Sequence, residues 1–215
     1  MGFDKLTALL AKQPVLVRTV ERFASCPDID EIVLVAHSER IESFRSMLED
    51  AGVRKVTRIV SGGAERHLSV WAGVQAADQK ASLIAVHDGA RPLIRPESIS
   101  QVVQRAAICG AVALAAPVVE TLKRADADQR VVGSVDRVGL WSMQTPQVFR
   151  RDWLVAAYEQ VLARGESVTD EVSAVQAAGF SVELLTNGGW NTKITYPEDL
   201  DLAHVLYQLQ EFRQT

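Results

Sequence analysis

The sequence predicts a single α/β domain built on a mostly parallel sheet. Short β-branched runs alternate with helical stretches along the 215 residues, which is the pattern of an α/β fold. Two runs, residues 31–36 and 83–86, are continuously apolar apart from Glu31, as is typical of strands buried on both faces. No repeat, low-complexity tract or linker divides the chain, so we treat residues 1–215 as one domain.

The individual elements follow from apolar spacing and from helix start and stop signals. Apolar residues recur at helical spacing over residues 14–23, Gly52 is placed to end a helix, and Pro96 suits the first turn of another. The predicted elements are, in chain order, helix 14–23, strand 31–36, helix 38–51, strand 56–60, helix 66–77, strand 83–86, helix 96–108, strand 111–116, helices 152–163 and 169–178, strand 182–185 and helix 197–212.

The pattern changes between residues 117 and 146. Residues 131–135 favour a strand, and residues 126–129 favour a turn before it. We therefore expect a β-arm that leaves the core of the domain over about residues 117–146.

Composition limits the classes of function. Lys and Arg total 23 against 27 Asp and Glu, and the net charge of −4 argues against a general surface for nucleic acid or anionic membrane. The longest uncharged stretch, near residues 106–119, is shorter than the roughly 20 apolar residues that a membrane span needs. We expect no signal peptide, and the two cysteines have neither metal-site nor disulfide spacing. These features favour a reduced, cytoplasmic protein.

Two polar clusters follow predicted strands, where open α/β sheets bind ligands. In residues 61–66, Gly62 and Gly63 allow close approach to a flat ligand, and the next helix offers free N–H donors. The alternative there is an ordinary turn, which is the commoner meaning of two glycines. In residues 87–92, Asp88 is suited to Mg²⁺ and Arg91 to a phosphate, and a salt bridge between the two is the equal alternative.

A third set of polar residues is scattered along the chain. Four of its five members are cations, and single cations in an acidic protein are usually solvated surface residues. The set consists of Lys5, Thr121, Lys123, Arg137 and Lys193.

Eight short motifs, taken in order, resemble the 2-C-methyl-D-erythritol 4-phosphate cytidylyltransferase family. They are Gly62-Gly63-x-x-Arg66-x-x-Ser69-Val70, His87-Asp88-Gly89-Ala90-Arg91-Pro92, Ala116-Pro117-Val118-Val119-Glu120-Thr121-Leu122-Lys123, Val135-Asp136-Arg137-x-Gly139-Leu140-Trp141, Thr145-Pro146-Gln147, Thr169-Asp170-Glu171, Asn191-x-Lys193-Ile194-Thr195 and Pro197-Glu198-Asp199-Leu200. The resemblance runs from about Asp4 to His204. Each motif alone is weak, but eight in the family's order are specific.

The resemblance implies a Rossmann-like nucleotidyltransferase sheet and a homodimer whose β-arms interlock. It implies transfer of a cytidylyl group from CTP to 2-C-methyl-D-erythritol 4-phosphate with Mg²⁺, releasing pyrophosphate, in non-mevalonate isoprenoid synthesis. It further implies that the cytosine and ribose are bordered by Gly62, Gly63, Arg66 and Ser69, and that Asp88 meets the metal and the nucleotide. It implies that the acceptor is held by Arg91 and Lys193, together with Thr121 and Arg137 of the partner chain. The catalytic residues that it implies are Lys5 and Lys193.

The sequence departs from the family pattern near its beginning. The family starts with an apolar strand and a loop of the Ala-Ala-Gly-x-Gly-x-Arg type, about twenty residues before the lysine, a spacing that a strand and a loop of ordinary length would occupy. Here Asp4-Lys5-Leu6 stands where Pro-Lys-Gln is usual. We therefore expect an N-terminally incomplete chain that lacks a central strand, with two strand edges unpaired at about 1–3 kcal/mol per exposed backbone group.

Two alternative functions remain at this point. One is a cytidylyltransferase for another polyol phosphate, such as ribitol 5-phosphate. The other is a non-catalytic, nucleotide-binding dimer that has lost the triphosphate loop.

Overall fold

The structure is a computed structural model that describes residues 3–212. Its helices and strands are β1 Leu9–Leu10, β2 Gln13–Pro14, α1 Val15–Ala24, β3 Ile32–Ala36, a 3₁₀ turn Ser38–Arg40, α2 Ile41–Asp50, β4 Val56–Ser61, α3 Arg66–Ala76, β5 Leu83–Val86, α4 Pro96–Cys109, β6 Ala111–Pro117, β7 Leu122–Ala125, β8 Val131–Val135, β9 Trp141–Arg150, α5 Arg151–Arg164, α6 Glu171–Ala177, β10 Glu183–Thr186 and α7 Pro197–Phe212.

Most helices begin and end within two residues of their predicted bounds, but α2 begins at Ile41, three residues later than predicted, because residues 38–40 form a 3₁₀ turn. Pro96 occupies the first turn of α4, where its missing N–H costs no helical hydrogen bond. Gly110 ends the same helix at φ +92°, a left-handed conformation that favours glycine. A Cβ at Gly110 would also collide with the indole of Trp153, so this position needs glycine for two reasons.

The main sheet has the strand order β10-β6-β9-β5. Strand β10 runs parallel to β6, and β9 runs antiparallel to both β6 and β5. Strands β5, β6 and β10 therefore share one direction, and β9 opposes them. A second sheet pairs β3 with β4 in parallel. The predicted α/β fold with parallel strands is confirmed, with β9 as the antiparallel exception.

Strand β9 is not among the elements predicted from the sequence, and it contains Pro146. A proline cannot donate to a sheet ladder, which normally argues against a central strand. The structure accommodates it in a bulge: Ala113 pairs with Gln147 and Ala115 with Met143, so three residues of β9 oppose a single residue of β6. Pro146 lies within that bulge. Gln147, Val148 and Phe149, which follow Pro146, are buried, so β9 carries the chain from the arm back into the core.

The β-arm consists of the antiparallel hairpin β7–β8 and the segments that flank it. Its turn is closed by Asp126, whose carboxylate accepts hydrogen bonds from the N–H groups of Asp128 and Arg130. Several apolar side chains of the arm are exposed to solvent in the single chain: Val119 70%, Val131 66%, Val132 59%, Val138 85%, Leu140 37% and Trp141 37%.

A cavity of about 580 Å³ separates the two sheets. Within the described residues, β3 pairs with β4 alone and β5 with β9 alone, so one edge of each strand is unpaired. Ile32–Val35 and all of β5 line this cavity and are only partly buried. The prediction that both runs are buried on both faces is therefore wrong, because each faces the cavity.

Other parts of the core are tightly packed. Residues 111–115 of β6 are at most 1% exposed, since β6 lies between β9 and β10 and is covered by α4. Two unpaired edges were expected from the family pattern, and the described residues contain them. None of the helices in residues 3–212 has both the length and the apolar character that a membrane span requires.

Candidate active site

A cluster of one carboxylate and two cations lies beyond the carboxyl end of β5. Asp88 Oδ2 accepts a hydrogen bond from Arg91 Nε at 3.0 Å and lies 3.2 Å from Lys193 Nζ. Arg91 Nη1 donates to the backbone oxygen of Asn191 at 2.7 Å. These contacts tie the loop after β5 to the loop that precedes α7. The salt bridge that the sequence left as an alternative is present, and Lys193 extends it.

The two cations control the charge of Asp88. Burial alone would raise the pKa of the carboxyl group. The charges and hydrogen bonds of Lys193 and Arg91 outweigh burial and hold this pKa below its ordinary value. Asp88 is therefore ionised at neutral pH.

The glycine pair after β4 packs against the start of α3. A Cβ at Gly62 would lie 2.6 Å from Ser69 Oγ, and a Cβ at Gly63 would collide with the Leu68 side chain. The Gly63 N–H donates to Ser69 Oγ at 3.1 Å. Close packing on the chain's own helix therefore requires both glycines, and neither lines the cavity.

Arg66 is held by a buried carboxylate, Glu171, which belongs to one of the eight motifs but was assigned no role from the sequence. Its Nη1 and Nη2 donate to the two oxygens of Glu171 at 2.7 and 2.9 Å, and Glu171 is fully buried. The hydroxyl of Tyr158 donates to the same carboxylate at 3.1 Å. The bond with Glu171 raises the pKa of Arg66, and burial together with the Glu171 charge raises the pKa of Tyr158.

Five of the predicted site residues line the cavity between the two sheets: Lys5, Arg66, Ser69, Asp88 and Lys193. They come from segments far apart in sequence and place three cations and one carboxylate around one space. Arg66 and Asp88 follow the carboxyl ends of β4 and β5, whereas the carboxylates of Asp28, Asp30 and Glu31, which also line the cavity, precede the amino end of β3. Lys5 precedes β1 and makes no hydrogen bond or ion pair with any other residue between 3 and 212 in the interactions observed. This arrangement is suited to an anionic ligand with several phosphate groups.

The other five predicted site residues do not line this cavity within one chain: Gly62, Gly63, Arg91, Thr121 and Arg137. Thr121 and Arg137 are exposed on the arm and do not line it. Arg137 Nη1 donates to the backbone oxygen of Val119, which folds its guanidinium onto the base of the arm. Lys123 Nζ donates to Ser134 Oγ at 2.7 Å across the hairpin. A role for Thr121 or Arg137 at the cavity needs a second chain.

The donor set at Asp88 limits how a metal ion is held. Across residues 3–212, no group of three or more His, Cys, Asp or Glu side chains is placed to bind one. Asp88 Oδ2 is occupied by the two cations, while Oδ1 has no hydrogen-bond partner in the described part of the chain. Mg²⁺ in nucleotide sites takes one or two carboxylates and completes its shell with phosphate oxygens and water. A single carboxylate oxygen fits that kind of site.

Comparison with known proteins gives consistent matches over nearly the whole chain. The family model described as 2-C-methyl-D-erythritol 4-phosphate cytidylyltransferase matches residues 1–208. The enzyme of that name from Symbiobacterium thermophilum is 44% identical over 213 residues, covering 99% of this chain and 88% of its own. The enzyme of that name from Caldanaerobacter subterraneus is 37% identical over 205 residues, covering 95% and 90%.

Solved structures agree with the sequence matches. The 4-diphosphocytidyl-2C-methyl-D-erythritol synthase of Anaerococcus prevotii superposes with a TM-score of 0.82 at 28% identity, covering 93% of this chain and 88% of that one. A second structure of a synthase of that name has a TM-score of 0.82 at 30% identity, covering 94% of each chain.

Proposed function

The chain belongs to the 2-C-methyl-D-erythritol 4-phosphate cytidylyltransferase family, and on that premise we propose how its residues carry out the reaction. The activity is transfer of a cytidylyl group from CTP to the 4-phosphate of methylerythritol, with release of pyrophosphate. This is a step in isoprenoid synthesis by the non-mevalonate route. The observation that carries the proposal is the cavity into which Lys5, Arg66, Asp88 and Lys193 all converge.

The chemistry needs positioning and cations rather than an activated protein nucleophile. An oxygen of the acceptor phosphate forms a bond to the α-phosphorus of CTP, and the bond from that phosphorus to the β-phosphate oxygen breaks. A phosphate monoester is already a sufficient nucleophile at neutral pH, so no serine or cysteine is required. Negative charge grows on the oxygens around the α-phosphorus, and fixed cations stabilise it.

Each cation has a part that follows from its place. Lys193 is 42% exposed at its side chain and is held 3.2 Å from Asp88, so it can reach a phosphoryl oxygen while it keeps its partner. Lys5, unpaired within residues 3–212 and lining the cavity, can meet the phosphoryl oxygens from another side. Arg91, whose side chain is 12% exposed, adds positive charge beside Asp88 and holds the phosphate of the acceptor.

We propose that the segment after β4 recognises the nucleoside of CTP. The loop of Gly62 and Gly63, with Arg66 and Ser69, borders the cytosine and ribose. Support comes from the bidentate bond between Arg66 and Glu171, which fixes one edge of the guanidinium beside the cavity.

We propose Mg²⁺ as the cofactor, held by the free Oδ1 of Asp88 and by phosphate oxygens of the nucleotide. When bound, the ion neutralises charge on the triphosphate and stabilises the pyrophosphate that leaves. The depressed pKa of Asp88 keeps the carboxylate ready to accept a cation at neutral pH.

We propose a homodimer built through the β-arm. The arm exposes apolar side chains that a soluble single chain would otherwise present to water, among them Val138 at 85% and Val131 at 66%. Such a dimer would let Thr121 and Arg137 of one chain reach the acceptor in the site of the other. We also propose a cytoplasmic location, supported by Cys26 and Cys109, which are both free thiols.

A substrate panel tests the proposed activity against its alternatives. Pyrophosphate release is followed with CTP, Mg²⁺ and either methylerythritol 4-phosphate or ribitol 5-phosphate. We expect release with the first acceptor at a rate at least about tenfold higher than with the second, a difference of about 1.4 kcal/mol in transition-state binding. Faster release with ribitol 5-phosphate would transfer the assignment to that substrate. CTP binding without turnover on either acceptor would favour the non-catalytic dimer.

A further inference from the structure

The loop from Asp88 to Arg91 is held at both of its ends by two side chains. At its start, the Asp88 N–H donates to Thr145 Oγ1 at 3.1 Å. At its end, the Arg91 backbone oxygen lies 3.3 Å from His87 Nε2. The two side chains are also within hydrogen-bond distance of each other, with Thr145 Oγ1 3.1 Å from His87 Nδ1.

The proton positions in these three hydrogen bonds follow from which atoms can donate and which can only accept. A backbone oxygen only accepts, so His87 Nε2 must carry the proton that bonds to Arg91. In the neutral ring, Nδ1 is then an acceptor. The Thr145 hydroxyl therefore donates its proton to Nδ1, while its oxygen accepts the Asp88 N–H. All three contacts are satisfied by this tautomer, whereas the opposite tautomer would set two acceptors against each other at Arg91.

Both side chains are themselves held in place. The Phe23 ring packs on the His87 ring with centroids 4.6 Å apart at 49°. The Thr145 backbone oxygen accepts a hydrogen bond from Asn191 Nδ2 at 2.8 Å. The charged groups that face the imidazole are Asp88 and Arg91, whose side chains already pair with each other.

We propose that His87 and Thr145 are positioning residues, a hydrogen-bonded brace that fixes the backbone on either side of the Asp88 carboxylate and the Arg91 guanidinium. Neither needs to touch substrate. The brace sets where the carboxylate and the guanidinium sit, and a misplacement of about 1 Å in such a site costs about 10²-fold in rate. The proposal deepens the proposed function and rests on it.

Substitutions at Thr145 test the brace through turnover. Thr145→Val keeps the shape and removes the hydroxyl, while Thr145→Ser keeps the hydroxyl. We expect kcat with CTP and methylerythritol 4-phosphate to fall by about 10- to 100-fold in T145V and to stay within about threefold of wild type in T145S. Thr57→Val, at an exposed threonine of β4, is the matched control and should leave kcat unchanged. Equal rates in T145V and wild type would overturn the brace.

Nitrogen-15 NMR of the His87 ring tests the proton positions without any turnover. The His87 signals are assigned by their loss in a His87→Gln variant. We expect the Nε2–H tautomer in wild type and in T145S, and a change in the Nδ1 signal in T145V, where its donor is gone. An Nδ1–H tautomer in wild type would overturn the brace even if the enzyme is active. A protein that shows the expected tautomer but transfers no cytidylyl group would keep the brace and refute the proposed function.

Discussion

At the scale of single residues, the site depends on charges that hold one another in place. Asp88 keeps its ionised form because Lys193 and Arg91 face it, and Arg66 keeps its orientation because Glu171 binds both of its terminal nitrogens. The sequence could indicate Asp88 and Arg91, since they lie in one short loop. It could not indicate that Glu171 binds Arg66, because 105 residues separate them and only the fold brings them together.

The Glu171 carboxylate is expected to contribute strongly to stability. Glu171→Gln removes the charge that Arg66 faces and leaves the guanidinium with a neutral partner. Breaking a fully buried ion pair costs about 3–5 kcal/mol, and because the Arg66 side chain is 40% exposed to water we expect about 1–3 kcal/mol here. Urea unfolding measures the loss. Glu183→Gln, in the exposed pair with Arg105, is the control and should leave the midpoint unchanged. Equal midpoints for both variants would contradict the assignment.

At the scale of elements, the sequence predicted helices better than strand partners. The helices carry local signals, such as Pro96 at the start of α4 and Gly110 at its end. Strand β9 carries no such signal, because the bulge that tolerates Pro146 depends on its pairing with β6. Burial of β3 and β5 was mispredicted for a similar reason. Apolar composition shows that a strand can be buried, but not whether a neighbour covers it.

The open edges of β3 and β5 should be visible in amide exchange. Each strand has one strand neighbour in the described residues, whereas β6 is paired on both sides. We expect the amides of β3 and β5 that face the cavity to exchange at least about tenfold faster than those of β6, since openings there break fewer contacts. Hydrogen–deuterium exchange followed by NMR resolves individual amides. Protection of β3 and β5 equal to that of β6 would show that their edges are covered.

At the scale of the whole molecule, the proposed dimer divides each site between two chains. Asp88 belongs to one chain, and Arg137 on the arm is proposed to act in the other. Arg137→Ala should weaken use of the acceptor and leave CTP binding nearly intact, while Asp88→Asn should abolish turnover. Arg124→Ala, at another exposed arginine of the arm, is the control.

Mixing the two variants gives the sharper result. Once the chains have exchanged, half of the dimers carry one chain of each variant, and one of the two sites in such a dimer is fully native. We expect activity to return to about a quarter of the wild-type value, as the symmetry of a two-fold dimer requires. If the activity of exchanged mixtures does not exceed the average of the two separate variants, Arg137 does not act across the dimer.

The central claim is that the cavity beside Asp88 joins a cytidylyl group to a polyol phosphate. Phosphorus-31 NMR of one reaction with CTP, methylerythritol 4-phosphate and Mg²⁺ tests it most directly. The account predicts a new phosphoanhydride that links the two substrates, formed together with one pyrophosphate per product and absent with D88N. Pyrophosphate with free CMP in place of the joined product, or an unchanged spectrum, would contradict the account.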